Sequence, residues 1–129
     1  MKIAMIGAGS LTFTNRLVGD ILAVPEFAET EFRFMDISPE NLRMATELCQ
    51  KRIRENGLGA TIHATTDRRE AIADADYVMV VVRVGGLEAF AHDIEIPLEY
   101  GVDQCVADTL GPGGIFYGLR TIPVLLDIA

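Results

Sequence analysis

The chain opens with a short apolar run, Lys2 to Ile6, that stops at Gly7-Ala8-Gly9-Ser10 and passes directly into a segment of helical period. An apolar run without helical period, closed by glycine, suits a strand buried on both faces of a parallel sheet. Behind the glycines, Phe13, Leu17, Val18, Ile21 and Leu22 recur at helical intervals and give one apolar face, which Pro25 ends. A strand, a tight glycine turn and a helix in immediate succession are the start of a βαβ unit. That beginning sets the expectations for everything behind it.

The alternation continues. Glu31 to Met35 alternates polar and apolar residues up to Asp36, and Ser38 with Pro39 then supplies a helix N-cap and a preset first helical residue. Leu42, Ala45, Leu48, Cys49 and Ile53 form the expected buried stripe of the second helix, which Asn56 and Gly57 stop. Thr61 to Ala64 reads as a third strand, and Asp67 with Glu70 as a capping box opening a short helix up to Ala73. Tyr77 to Val84 is the strongest strand signal, a β-branched run between Asp76 and Gly85. Leu87 to Tyr100 predicts a helix broken by Pro97, followed by an irregular stretch to Gly114. Ile115 to Ala129 is again helical in period and contains Pro123. Alternating strands and helices predict right-handed crossovers in an α/β, Rossmann-like, doubly wound parallel sheet of strand order 3-2-1-4.

Composition bounds the partners. With 129 residues, half of them apolar, the chain suffices for one compact domain and not for two. Eleven Lys and Arg against nineteen Asp and Glu leave a charge of −8, which repels nucleic acid and anionic membranes. The longest apolar run, Tyr77 to Val82, falls far short of the ~20 residues that cross a bilayer, and Lys2 leads into a strand without a secretory pattern, so the expected location is cytoplasmic. Cys49 and Cys105 lie far apart without CxxC spacing and read as two reduced thiols.

Three features bear on function. Gly7, Gly9, Ser10 and Leu11 stand where a dinucleotide diphosphate meets free backbone N–H groups at a helix start, although Thr12 replaces the third small residue of G-x-G-x-x-G. Asp36 ends the second strand, where a carboxylate accepts the adenosine ribose hydroxyls and opposes the 2′-phosphate of NADP. The bland alternatives are an ordinary strand-to-helix turn for the loop and a turn-capping Asp for Asp36. The third feature is Ala107-Asp108-Thr109-Leu110-Gly111-Pro112-Gly113-Gly114, whose glycine density implies either close backbone approach to a ligand or a structural turn.

GAGS after strand one, MDIS ending strand two, ADADYVMV at strand four, and above all DTLGPGG followed by LRTIP resemble family 4 of the glycoside hydrolases, with the α-galactosidase branch nearest. The resemblance implies the N-terminal NAD-binding part of a longer enzyme, 1–129, without the sugar-binding and metal-binding parts. It also implies an NAD- and divalent-metal-dependent reaction, with manganese the usual metal, that oxidises sugar C3, eliminates across C1 and C2, adds water and returns the hydride. Asp108 then matches an acidic helper that raises the basicity of a tyrosine base lying elsewhere. Arg83 and Val84, at the end of strand four, are expected to line the nicotinamide ribose.

No metal ligand is assigned. His92 and Cys105 fit no compact metal spacing and read as a solvated imidazole and a loop thiol. Gly86 to Tyr100 holds no Lys or Arg, whereas the phosphoglycosidase branch grips a sugar 6-phosphate with an arginine there. An unphosphorylated glycoside is therefore the expected substrate. The same gap weighs against a lactate or malate dehydrogenase-like enzyme, which needs arginines after strand four. An NAD-sensing module without catalytic residues is the non-enzymatic alternative. A homo-oligomer is expected, with strand four as an unpaired apolar edge.

Overall fold

The computed structural model describes residues 1–104 and 110–129. Its elements are β1 (Lys2–Ile6), α1 (Leu11–Leu22), β2 (Glu31–Met35), α2 (Pro39–Glu55), β3 (Thr61–Thr65), α3 (Arg68–Ile72), β4 (Tyr77–Val80), α4 (Gly86–Glu99) and α5 (Gly111–Ile128). The four strands form one parallel sheet in the order β3-β2-β1-β4, the order expected from the sequence. The chain falls into two compact units, Met1–Val82, which contains the sheet, and Arg83–Ala129, which contains α4 and α5.

Pairing is in register: Ala4 stands opposite Arg33 on one side and Val78 on the other, and Arg33 opposite His63. Ile3, Met5, Phe32 and Phe34 build the core with Val18 and Leu22 of α1 and Leu42, Cys49 and Ile53 of α2. The rings of Phe32 and Phe34 meet edge to face, centroids 6.1 Å apart. Both are fully buried, so truncating either to alanine would cost about 3–5 kcal/mol.

Two members of the expected apolar stripes lie outside this core. Phe13 is 62% exposed and Leu48 40%. On α1 the inward place is taken by Thr14, whose hydroxyl donates to the Ala8 carbonyl at 2.8 Å and so becomes buriable. A threonine facing the core is invisible to a count of apolar spacings.

Other boundaries shift for local reasons. β3 runs one residue further, to Thr65, and β4 ends at Val80 rather than Val84. Its partner β1 turns away at Gly7, and the last cross-strand bond is from the Val81 N–H to the Ile6 carbonyl at 2.8 Å. The Asp67 carboxylate caps α3 through the N–H groups of Arg69 and Glu70. Glu70 does not complete a reciprocal box. It accepts from the Thr65 hydroxyl and lies 3.0 Å from His63 Nε2, and these partners hold its carboxyl below the ordinary carboxylate range.

Pro97 does not break α4, which continues to Glu99. α5 begins at Gly111 rather than Ile115, with Pro112 in its first turn, and carries Pro123 inside.

Candidate functional site

The first unit brings the glycine loop and Asp36 together. β1 delivers the chain to Gly7, whose φ of +87° is a left-handed conformation that glycine adopts at no steric cost. A side chain at Gly7 would also collide with the Val81 carbonyl. The N–H groups of Gly7 and Ala8 both donate to the Met35 carbonyl, at 2.8 and 2.9 Å, which ties the loop to the end of β2.

Gly9 donates its N–H to Asp36 Oδ2 at 2.8 Å. Asp36 Oδ1 accepts the N–H of Ser38 at 2.9 Å. A Cβ on Gly9 would stand 2.7 Å from the Asp36 carboxylate carbon and 2.8 Å from Asn41 Cβ. The carboxylate thus caps the β2–α2 turn, as the turn-capping reading of Asp36 expects, and is also anchored to the glycine loop. Each oxygen has accepted one backbone bond and retains a further lone pair for a ligand hydroxyl.

Ser10 is the N-cap of α1 by position, but its side chain makes no capping bond. The first-turn N–H groups, beginning at Leu11, are thus left without a side-chain acceptor, and the helix dipole adds positive potential at the same point. Together with a loop in which Gly9 admits no Cβ, this is the geometry of a diphosphate cradle. The residues present fit a dinucleotide.

Ile37, between Asp36 and Ser38, was not singled out by the sequence argument, yet it is 89% exposed. It is a large apolar residue exposed in the β2–α2 turn, next to Asp36 in sequence. The signal was available in the MDIS tetrapeptide, but an isolated Ile carries no period to flag it.

The second unit holds Arg83 and Val84. The Arg83 guanidinium lies over the Phe90 ring, 4.8 Å from its centroid, with Tyr117 at 6.0 Å. Asp93, on α4, is buried and forms a two-armed ion pair with Arg120 of α5. Donating these hydrogen bonds to Asp93 raises the Arg120 guanidinium above its ordinary value. None of Asp93, Gln104 and Arg120 was recognised as a group from sequence, because their spacing follows no motif.

Gly111 has a φ of +80°, and a Cβ there would stand 2.8 Å from Gln104 Oε1. Part of the glycine density before α5 therefore answers an internal contact. Asp108 and Cys105 lie outside the described residues. His92 is exposed, with Nδ1 3.7 Å from Glu95 Oε2. Cys49 is fully buried, and its desolvation pushes the thiol up to about 11. Among the described residues no group of three or more His, Cys, Asp or Glu could hold a metal ion, and no helix is long and apolar enough to cross a membrane.

Comparison with known proteins gives concordant results. A family model described as family 4 glycosyl hydrolase matches residues 2–129. An α-galactosidase of Rhizobium meliloti (strain 1021) is 55% identical over 126 residues, covering 98% of this chain and 26% of that protein. A probable 6-phospho-β-glucosidase of Bacillus subtilis (strain 168) is 45% identical over 132 residues, covering all of this chain and 29% of the relative. Among solved structures, a 6-phospho-β-glucosidase from Thermotoga maritima, with manganese, NAD+ and glucose-6-phosphate, superposes with a TM-score of 0.88 at 30% identity, over 99% of this chain and 30% of that one. The chain thus spans between a quarter and a third of the length of these relatives.

Proposed function

Because the chain belongs to family 4 of the glycosyl hydrolases, we propose that it is the NAD-binding part of a glycosidase that oxidises sugar C3 and eliminates across C1 and C2. The observation that carries this reading is the 2.8 Å bond from the Gly9 N–H to Asp36 Oδ2, which joins the diphosphate loop to the ribose acceptor in one rigid piece. When bound, NAD supplies an acceptor for the hydride and gives it back at the end of the cycle.

The chain's own residues bind and orient. Gly7, Gly9, Ser10 and Leu11 present the loop and the first turn of α1 to the diphosphate, and Asp36 takes the ribose hydroxyls of adenosine. Ile37 supplies an apolar surface for the adenine. Arg83 and Val84 offer backbone to the nicotinamide ribose, and Asp108 assists a tyrosine base. The described residues do not provide a metal site, so no step through the divalent ion is assigned to them.

The substrate in this reading is an unphosphorylated α-galactoside. It is supported by the absence of Lys and Arg from Gly86 to Tyr100 and by the 55% identical α-galactosidase. The 45% identical relative bears a phosphoglucosidase name, so paired assays on p-nitrophenyl α-galactoside and p-nitrophenyl 6-phospho-β-glucoside decide the point. Cytoplasmic residence and a homo-oligomeric state belong to the same proposal, supported by the acidic charge and by the exposed apolar edge of β4.

Calorimetric titration tests the cofactor: NAD should bind more tightly than NADP. Equal or tighter binding of NADP would refute the role given to Asp36.

A further inference from the structure

Asp93 has only 1% of its surface exposed, and three connections leave it. Its carboxylate oxygens accept the two arms of the Arg120 guanidinium, Nη1 to Oδ1 at 2.7 Å and Nη2 to Oδ2 at 2.5 Å. The remaining edge of that guanidinium is spent elsewhere, since Nε donates to the Val84 carbonyl at 3.4 Å.

The third connection starts from the Asp93 backbone. In an α-helix its carbonyl would accept from the residue four places on, but that residue is Pro97, which has no N–H. Gln104 Nε2 takes the vacant acceptor at 2.6 Å. Its other end, Oε1, accepts the Gly113 N–H at 3.3 Å in the first turn of α5. A proline placed inside α4 thereby becomes the reason that α4 can hold the start of α5.

An apolar contact would join α4 to α5 at lower cost than a buried ion pair, whose desolvation must be repaid by geometry. A planar guanidinium held at both ends adds direction, because its fork fixes where the third donor points. Here it points at Val84. We propose that Asp93, Arg120 and Gln104 are positioning residues that fix the Val84 carbonyl and the Gly113 turn for the reaction, none of them touching substrate. This rests on the proposed function, which places the Val84 backbone at the nicotinamide ribose.

The test uses the full-length protein, with ADP as the probe of the glycine loop and p-nitrophenyl α-galactoside as substrate. Displacing a supporting group by about 1 Å costs on the order of a hundredfold in rate, so Arg120→Gln should lose about that factor in kcat. Its ADP dissociation constant should stay within about twofold of the parent protein. Arg120→Lys should recover thermal stability without recovering kcat, because an ammonium cannot span two carboxylate oxygens and the Val84 carbonyl. Gln104→Ala, which cuts only the Gly113 link, should lower kcat with KM and ADP affinity unchanged, and it keeps the test open if the Arg120 variants fail to fold. Full rescue of kcat by lysine, or losses of kcat and ADP affinity in parallel across the variants, would overturn the proposal and leave a structural clamp. Parent protein that neither binds ADP nor requires NAD would instead bring down the family-based reading beneath it.

Discussion

The backbone N–H of Gly9 is hydrogen-bonded to the side chain of Asp36 across 27 positions of sequence, at 2.8 Å, so the two residues expected to hold opposite ends of an adenosine diphosphate also hold each other. Substituting either one disturbs the other. Gly9→Ala puts a methyl 2.7 Å from the Asp36 carboxylate carbon. We expect about 1–3 kcal/mol of destabilisation from the forced displacement, read as a lower midpoint in urea. NAD affinity should fall with it, since the displaced carboxylate no longer faces the ribose.

Asp36→Ala tests the ligand contact with less steric disturbance. Losing charge-assisted bonds to ribose costs roughly 1.5–3 kcal/mol, about ten- to a hundredfold in the NAD dissociation constant. The Ser38 and Gly9 N–H groups lose their acceptor as well. Comparing the losses for NAD and for nicotinamide mononucleotide in a calorimeter separates the two effects: a ribose contact weakens only the former, and equal losses would point to a collapsed loop.

Much of the geometry of the glycine loop and the β2–α2 turn is legible in the sequence, and the reason is local. Gly7, Gly9 and Asp36 are fixed by turn geometry and by the ends of strands, which leave a signature in a few consecutive residues. The parallel sheet follows from the alternation of elements in the same way, and its order is one of the two common doubly wound orders. Phe13 and Leu48 were misplaced because period alone cannot tell an apolar residue on the core face from one at its margin. Thr14 was missed because its burial depends on a bond to Ala8. The Asp93, Gln104 and Arg120 group was illegible for a different reason: its contacts join residues up to 36 apart through a carbonyl freed by Pro97, and no residue type announces a vacant acceptor.

Cys49 carries the pH prediction. Burial pushes its thiol from an ordinary value of 9.0 to about 11. Between those values the unfolded chain has given up the proton and the folded chain keeps it, so stability falls as pH rises. The contribution is complete below pH 9 and lost toward pH 11, with a span of roughly 2–3 kcal/mol. Urea midpoints measured from pH 8 to 11 should fall more steeply in the parent chain than in Cys49→Ala, and superimposable pH slopes would refute the assignment. At pH 8 the thiol should resist iodoacetamide until the protein unfolds.

The edge of the sheet is a second testable surface. Tyr77, Val78 and Val80 are 62%, 42% and 36% exposed on β4, which among the described residues has a neighbour strand on one side only. An apolar strand with an unpaired edge recruits another strand. The 129-residue chain should therefore self-associate in sedimentation at micromolar concentration, and Val78→Lys should shift it toward monomer. A stable monomer over a wide range of concentration would count against this use of the edge.

The final prediction separates binding from chemistry. In the proposed reading the loop, the first turn of α1 and Asp36 hold the adenosine diphosphate by themselves, so the 129-residue chain should retain measurable affinity for NAD. Turnover asks for more. Hydride transfer needs a sugar held about 3–3.5 Å from the nicotinamide, and removal of the C2 proton needs a base and a polarised neighbouring ketone. Among the described residues no cluster could hold the metal that would polarise it. The chain alone should thus bind NAD without hydrolysing p-nitrophenyl α-galactoside. The full-length protein should hydrolyse it only with both NAD and a divalent cation present, and a substrate deuterated at C2 should release its label to water. Hydrolysis that survives removal of cofactor and metal would exclude the elimination route, because direct displacement at C1 needs neither. Hydrolysis by the 129-residue chain itself would show that its own side chains include the base.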